Sequence, residues 1–300
     1  MKIVNEYIDY IANERGYSSH TVRAYSRDLV DFFETTGIDS HLKITKFDIQ
    51  DFLQQDNNRK LSTSTISRKI STIKSFFNYC EKYHACISNP AKGVIIPKKE
   101  KTLPNVLTRK EINCLLSLSI GSDKKSLRDK LILELLYSTG IRLSELNKIK
   151  LDDINLKHST IHIRNAKRNS DRIIIMGKFS LASMKSYLEE MKLLSLMNSS
   201  KFLFPGERNS KKINRYNHLS DKSIYNIVKK YLMKISDNEK LSTHSLRHTF
   251  ATHLLENGAD IMAVKDLLGH KSLSSTQVYT HLKLKELKKI YNQSHPHAKK

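Results

Sequence analysis

The stretch NPAKGVIIPKKEKTLP, residues 89–104, constrains this chain more than any other segment, because no helix or central strand can run through it. Proline fixes φ and removes a backbone donor, and three prolines with a glycine and a lysine run leave an extended connector as the expected form. The 300 residues are therefore expected to form two domains, 1–88 and 105–300, joined by a linker at 89–104, each long enough to bury a core.

The first piece reads as four helices. Apolar residues recur at helical spacing in 3–13 (Ile3, Val4, Tyr7, Ile8, Ile11) and in 18–33 (Val22, Tyr25, Leu29, Phe33), and a third segment starts at Asp48. In the fourth, Ile66, Ile70, Ile73 and Phe77 line one face while Arg68, Ser71 and Ser75 lie off it. The second piece opens with Thr108 as an N-cap and Glu111 at N3, followed by a nearly all-apolar helix around LILELLY that ends at Gly140. The period then changes. Ile161 and Ile163 alternate with His162 and Arg164, and RIIIM resumes after the polar NAKRNSD, which predicts a β-hairpin. Helices are expected again over 181–196, 221–233, 244–257 and 261–268, with a short one after Ser275 and with Gly258 and Gly269 at C-caps. The fold class is thus mainly α: a helical N-terminal domain, then a mixed α/β domain with a small antiparallel sheet.

Lys and Arg number 52 against 30 Asp and Glu, a formal charge of +22. The first hundred residues carry only +3 of it and the remainder +19. Part of this excess is ordinary lysine bias on solvated faces; the rest points to a polyanion held mainly by the second domain, with salt-dependent affinity. Cys80, Cys86 and Cys114 match neither a disulfide framework nor zinc spacing, so a reducing cytoplasm is expected. The N-terminus is broken by Asn5, Glu6, Asp9 and Glu14 and does not read as a signal peptide. No run approaches the roughly 20 apolar residues of a membrane span.

Three motifs carry chemistry. HSLRH at 244–248 puts His244 and Arg247 three apart, on one helical face. His244 and His248 also stand at zinc spacing, but the glutamate that follows the first histidine in a metallopeptidase is missing, and no metal is expected. TGIRLSEL places Arg142 just after a helix-ending glycine, with Glu145 as a cap or as a partner for a buried arginine. LGHKSLSSTQVYTH brings Gly269 and His270 ahead of Tyr279.

Taken in order, Arg142, Lys167, His244, Arg247, His270 and Tyr279 resemble the tyrosine recombinase (phage integrase) family, whose pattern is Arg, a hairpin Lys, His-x-x-Arg, a His within Leu-Gly-His, and Tyr about nine residues on. RHTFATHLLENGAD and YTHL match as well, and the resemblance spans essentially the whole chain and is nearest to the short Xer-type recombinases. It implies a helical core-binding domain and a catalytic domain with the fold shared by tyrosine recombinases and type IB topoisomerases. Tyr279 is then the nucleophile that forms a 3′-phosphotyrosine bond, His244 the group that takes its proton, and Lys167 the acid for the leaving 5′ oxygen. Arg168 follows Lys167 where the family often has glycine, and Arg164 is a third hairpin cation, so the identity of that acid stays open; counting back from RIIIM favours Lys167.

These residue types suit the task. Two guanidinium groups, Arg142 and Arg247, offer planar donor forks to the non-bridging oxygens as charge builds in the pentacoordinate state, and His270 adds a hydrogen bond. No cofactor is needed. Double-stranded DNA is the expected partner, with Thr21, Arg23, Arg27, Ser64, Arg68 and Lys69 of SSHTVRAYSRDL and STSTISRKISTIKSFF as phosphate contacts. The Xer resemblance implies two strand exchanges through a Holliday junction, chromosome dimer resolution, and a tetramer of one chain or of two paralogues, with a DNA translocase as a further candidate partner. A mobile-element integrase and a type IB topoisomerase-like relaxing enzyme are the alternatives. The segment LKLKELKKIYNQ, with Leu282, Leu284, Leu287, Ile290 and Tyr291, either folds back on its own core or, as the resemblance implies, docks into a neighbouring subunit; SHPHAKK is expected to be disordered.

Overall fold

A computed structural model describes residues 2–84, 89–95, 105–118, 121–164, 171–193, 201–206, 217–269 and 281–298, without the side chains of Asn57 and 281–285. The chain forms two compact units, 1–102 and 103–300.

In the first unit α1 (Lys2–Asp9) runs into a π-helical turn at Tyr10–Glu14, followed by α2 (Ser19–Thr36), α3 (Lys46–Asn58) and α4 (Thr63–Tyr83). Ser18 and Ser62 cap α2 and α4, each accepting from the backbone N–H three residues on, as the serine-threonine runs before these helices favour. The apolar faces meet around Tyr7, Leu29, Phe32, Phe52, Ile73, Phe76 and Phe77, all at or below 1 % exposure. Ala91 and Val94 close the same core, so the packing of this unit runs past residue 88.

Lys69 departs from its expected place among the phosphate contacts. It is buried, its ammonium donating to both carboxylate oxygens of Asp56 at 2.9 Å and to Asp31. A cation neutralised inside the bundle by two carboxylates has no charge left to offer a phosphate. Arg68 pairs with Asp28, whose carboxylate also accepts from Thr72 Oγ1 at 2.9 Å.

The second unit is built on α6 (Lys124–Thr139), which is buried continuously from Leu131 to Thr139. A helix apolar on every side belongs at the centre of its domain, and α5 (Arg109–Ser117), α8 (Lys178–Leu193), α9 (Asp221–Leu232) and α10 (Thr243–Glu256) surround it. The hairpin is present as β2 (Thr160–Ile163) against β3 (Arg172–Ile175), antiparallel, with Ile161 opposite Ile174 and Ile163 opposite Arg172. A two-residue strand the period did not signal, β1 (Ile154–Asn155), pairs on the other side of β2 and completes a three-stranded sheet. The short α7 (Leu143–Leu146) follows Gly140, and α11 (Ile261–Leu268) ends at Gly269. Among the described residues no helix is long and apolar enough to cross a membrane.

The segment LKLKELKKIYNQ folds back on its own unit, and residues 294–298 of the tail expected to be disordered are ordered behind it. On α12 (His281–Ser294), Leu287 and Tyr291 pack with Phe250, Leu254, Val264 and Leu267 of their own unit. The chain then makes a single 3-10 turn at Pro296–Ala298, with His295 fully buried and stacked on Tyr291 at 4.9 Å. Two aromatic histidines in the tail supply the apolar area that a merely polar tail would lack.

Burial, with the nearby His297 and His253, lowers the His295 pKa to about 3, and Tyr137, Phe250 and the Glu134 that faces His297 complete its surroundings. A histidine kept neutral in the fold but free to protonate near pH 6.5 when released makes docking of the tail weaken as pH falls below about 6.5. Hydrogen exchange of residues 291–298 should therefore be about tenfold faster at pH 5.5 than at pH 7.5 after correction for intrinsic rates, and His295→Phe should remove the difference. Equal corrected rates at both pH values in the native chain would show that His295 does not titrate on release.

Candidate active site

Helix α6 stops at Gly140, whose φ of +59° is the left-handed C-cap conformation that glycine adopts without strain. The chain turns immediately, and Arg142 becomes the N-cap of α7 with Glu145 at N3; the Arg142 backbone N–H donates to Glu145 Oε2 at 3.0 Å. The Arg142 side chain is about one-third exposed and donates Nη1 to Glu145 Oε1 at 3.1 Å.

A third arginine, which the sequence motif does not include, completes this group. Arg172 at the start of β3 grips Glu145 with both terminal nitrogens, Nη1 to Oε1 at 2.8 Å and Nη2 to Oε2 at 2.7 Å, and its side chain is only 5 % exposed. Burial would push the Glu145 carboxyl up, but the hydrogen bonds and charge of Arg172, with those of Arg142, outweigh it and hold the carboxyl at about 2. Glu145 therefore both caps α7 and holds a buried arginine. The sequence does carry a signal for Arg172: it is in phase with Ile174 on a strand of period two, hence on the buried face.

Arg247 lies on α10 behind the same turn, 9 % exposed. Its Nη1 donates to the Gly140 carbonyl and its Nη2 to the Leu268 carbonyl at 2.7 Å, so one guanidinium bridges the ends of α6 and α11. Burial, then the charges of Arg142 and Arg172, bring its pKa down to about 10, against a smaller opposing effect of Glu145. It remains a cation at neutral pH. His244, one turn earlier on α10, is exposed. His248 is exposed as well, while His253 is buried with Nδ1 3.1 Å from the Tyr137 hydroxyl, a packing role. Among the described residues no group of His, Cys, Asp or Glu is arranged to hold a metal ion.

The structure thus brings Arg142, Glu145, Arg172 and Arg247 together, three cations around one carboxylate, with His244 on the helix that carries Arg247. Lys167, His270 and Tyr279 lie outside the described residues. Of the other hairpin cations, Arg164 is committed to the buried carboxylate of Asp153 at 2.6 Å, and Arg168 also lies outside the described residues. In the first unit, Arg23, Arg27 and Ser64 are exposed; Arg23 donates to the Ser19 carbonyl at 3.2 Å, and Thr21 lies 2.9 Å from the Ser18 hydroxyl in the first turn of α2.

Two guanidinium groups fixed by backbone carbonyls and a carboxylate at helix ends form an anion site suited to a phosphodiester. The chain belongs to the phage integrase family: residues 105–286 match that family, and residues 4–83 match the N-terminal SAM-like domain of phage integrases. Within it, the chain is similar to Xer tyrosine recombinases. It is 38 % identical to tyrosine recombinase XerC of Thermodesulfovibrio yellowstonii, over 99 % of this chain and 97 % of that one. It is 37 % identical to tyrosine recombinase XerD of Staphylococcus epidermidis, over 99 % of each. The solved structure of the XerH site-specific recombinase bound to palindromic difH substrate, in a post-cleavage complex, superposes with a TM-score of 0.69 at 21 % identity, covering 95 % of this chain and 83 % of that one, a likeness of fold.

Proposed function

We propose that this chain is a site-specific recombinase of the Xer type that breaks and rejoins DNA strands through a 3′-phosphotyrosine bond at Tyr279. The observation that carries this reading is the convergence of Arg142 and Arg247 on the turn at Gly140, with Glu145 fixing the first and two carbonyls fixing the second. In that frame the two guanidinium groups bind the non-bridging oxygens of the scissile phosphate and stabilise the charge that builds as oxygen attacks. His270 adds a hydrogen bond to the same oxygens.

An unperturbed tyrosine phenol ionises only near pH 10, so it needs a base, and His244 takes that proton. Lys167 gives a proton to the departing 5′ oxygen. Religation runs the same steps in reverse with the 5′ hydroxyl of the partner strand, which is why no external energy source enters. Two rounds produce and resolve a Holliday junction.

The second unit is the catalytic domain and the first the core-binding domain, with Thr21, Arg23, Arg27, Ser64 and Arg68 positioning the duplex through its phosphates. Four protomers, of one chain or of two paralogues, assemble on paired sites to resolve chromosome dimers, with a DNA translocase as a candidate activator. The Xer relatives favour this role over mobile-element integration.

The test uses the full chain and a duplex selected by the protein from a random pool, nicked so that cleavage traps the intermediate. The expected product is an SDS-resistant adduct whose DNA is attached to the tryptic peptide 272–283, in which Tyr279 is the one tyrosine. Attachment to any other peptide, or no adduct, overturns the mechanism. Robust plasmid relaxation without junction formation would instead make the chain a relaxing enzyme.

A further inference from the structure

All four acceptor positions of the Glu145 carboxylate are filled: Oε1 receives Arg142 Nη1 and Arg172 Nη1, and Oε2 receives the Arg142 backbone N–H and Arg172 Nη2. The two arginines share this carboxylate unequally. Arg172 takes two of its bonds in bidentate form and is buried, with little surface to offer a ligand, whereas the Arg142 side chain gives one bond and is about one-third exposed.

A lone Arg142–Glu145 pair would be close to neutral and would have little attraction for a phosphate. With Arg172 present, the three groups carry a net positive charge and only one terminal nitrogen of Arg142 is engaged by the carboxylate. The stem of Arg172 also bears on the residue ahead of His270: a Cβ added to Gly269 would meet Arg172 Cδ at 2.6 Å and Nε at 2.8 Å, and Gly269 has φ +66°. One buried side chain therefore touches both the carboxylate that orients Arg142 and the turn that leads into His270.

We propose that Arg172 is a positioning residue of the recombination site, occupying Glu145 so that this carboxylate orients Arg142 without neutralising it. The proposal rests on the assignment of Arg142 to the scissile phosphate. It makes the effect of Arg172 on the cleavage step itself conditional on the charge of Glu145; a merely structural pair would show that coupling in stability alone, so cleavage is read per folded molecule at saturating duplex.

The experiment is a double-mutant cycle on single-turnover adduct formation by the full chain, with duplex affinity measured in parallel. Arg172→Met is expected to slow cleavage by about 30- to 100-fold while changing the duplex Kd by less than about threefold, since the Arg172 side chain is only 5 % exposed. In a Glu145→Gln background, where no carboxylate competes for Arg142, the same substitution should cost no more than about threefold further. An equal loss in both backgrounds overturns the proposal. Should Arg172→Met fail to fold, Arg172→Lys carries the same comparison. A loss of about fivefold or more where Glu145 is present, with none in the E145Q background, supports the role, and equal losses refute it. A wild-type chain that forms no adduct through peptide 272–283 refutes the assignment of the site itself, a different outcome from an adduct that forms with additive losses.

Discussion

Arg247→Lys is expected to slow strand cleavage by about 100- to 1,000-fold, the loss typical of removing one fixed donor from a site that stabilises developing negative charge. The reason is geometric before it is electrostatic. Arg247 spans two carbonyls from separate elements, Gly140 at the end of α6 and Leu268 at the end of α11, with one terminal nitrogen on each. A lysine carries its donors on a single atom and cannot hold both carbonyls while presenting a planar edge to a phosphate. One carbonyl is then left without its donor in a buried place, which costs about 1–3 kcal/mol of stability. Charge adds to the loss. The burial and the neighbouring arginines that bring the Arg247 pKa down to about 10 would act on an ammonium that starts lower, and move it toward neutrality. The measurement is single-turnover adduct formation at saturating duplex. A variant that cleaves within about threefold of wild type would show that the guanidinium shape gives the transition state no more than it gives the bound substrate.

Much of this architecture is legible in the sequence, and what is not has identifiable causes. The helical periods locate α2, α4, α6, α10 and α11 because each buries one face, or in α6 every face, within a single run of residues. The change to period two finds β2 and β3, while β1 is too short to show any period. Lys69 reads as a phosphate contact from its place in a serine-rich basic stretch, yet it is in phase with Ile66, Ile73 and Phe76 on the buried face of α4. Its partners Asp31 and Asp56 lie on other helices, and no local pattern signals them. Arg172 escapes the motif for a related reason: its phase with Ile174 marks it as buried, but its role depends on Glu145, 27 positions earlier, which no local pattern signals. Composition misleads at the tail, because histidine counts as polar in a sequence yet stacks as an aromatic in the fold. Periodicity reports which face is buried; the partner that makes a buried charge tolerable comes from tertiary structure.

Gly140→Ala should destabilise the catalytic unit by roughly 2–4 kcal/mol, combining left-handed strain with overpacking. At φ +59° an alanine is strained whatever the space around it, and here there is no space. A Cβ would lie 2.5 Å from Phe250 Cδ1 and 2.8 Å from Leu268 Cδ2, and both of these side chains are buried. Neither can swing into solvent, so the backbone of the turn has to move. That motion displaces the Gly140 carbonyl that receives Arg247 and the residue two positions before Arg142, so the folded fraction of the variant should also cleave DNA at least about tenfold more slowly. Gly258→Ala separates strain from packing. Gly258 has φ +82° and nothing within 4 Å of an added Cβ, so it should lose only about 1 kcal/mol and keep its cleavage rate. Because the chain has two units, stability is best read by pulsed hydrogen exchange on peptides of α6 and α10 across a urea series rather than from one global signal. If Gly140→Ala and Gly258→Ala shift the α10 midpoint equally, the contact with Phe250 and Leu268 contributes nothing, and the close approach of α6 to α10 and α11 is not what holds the two arginines together.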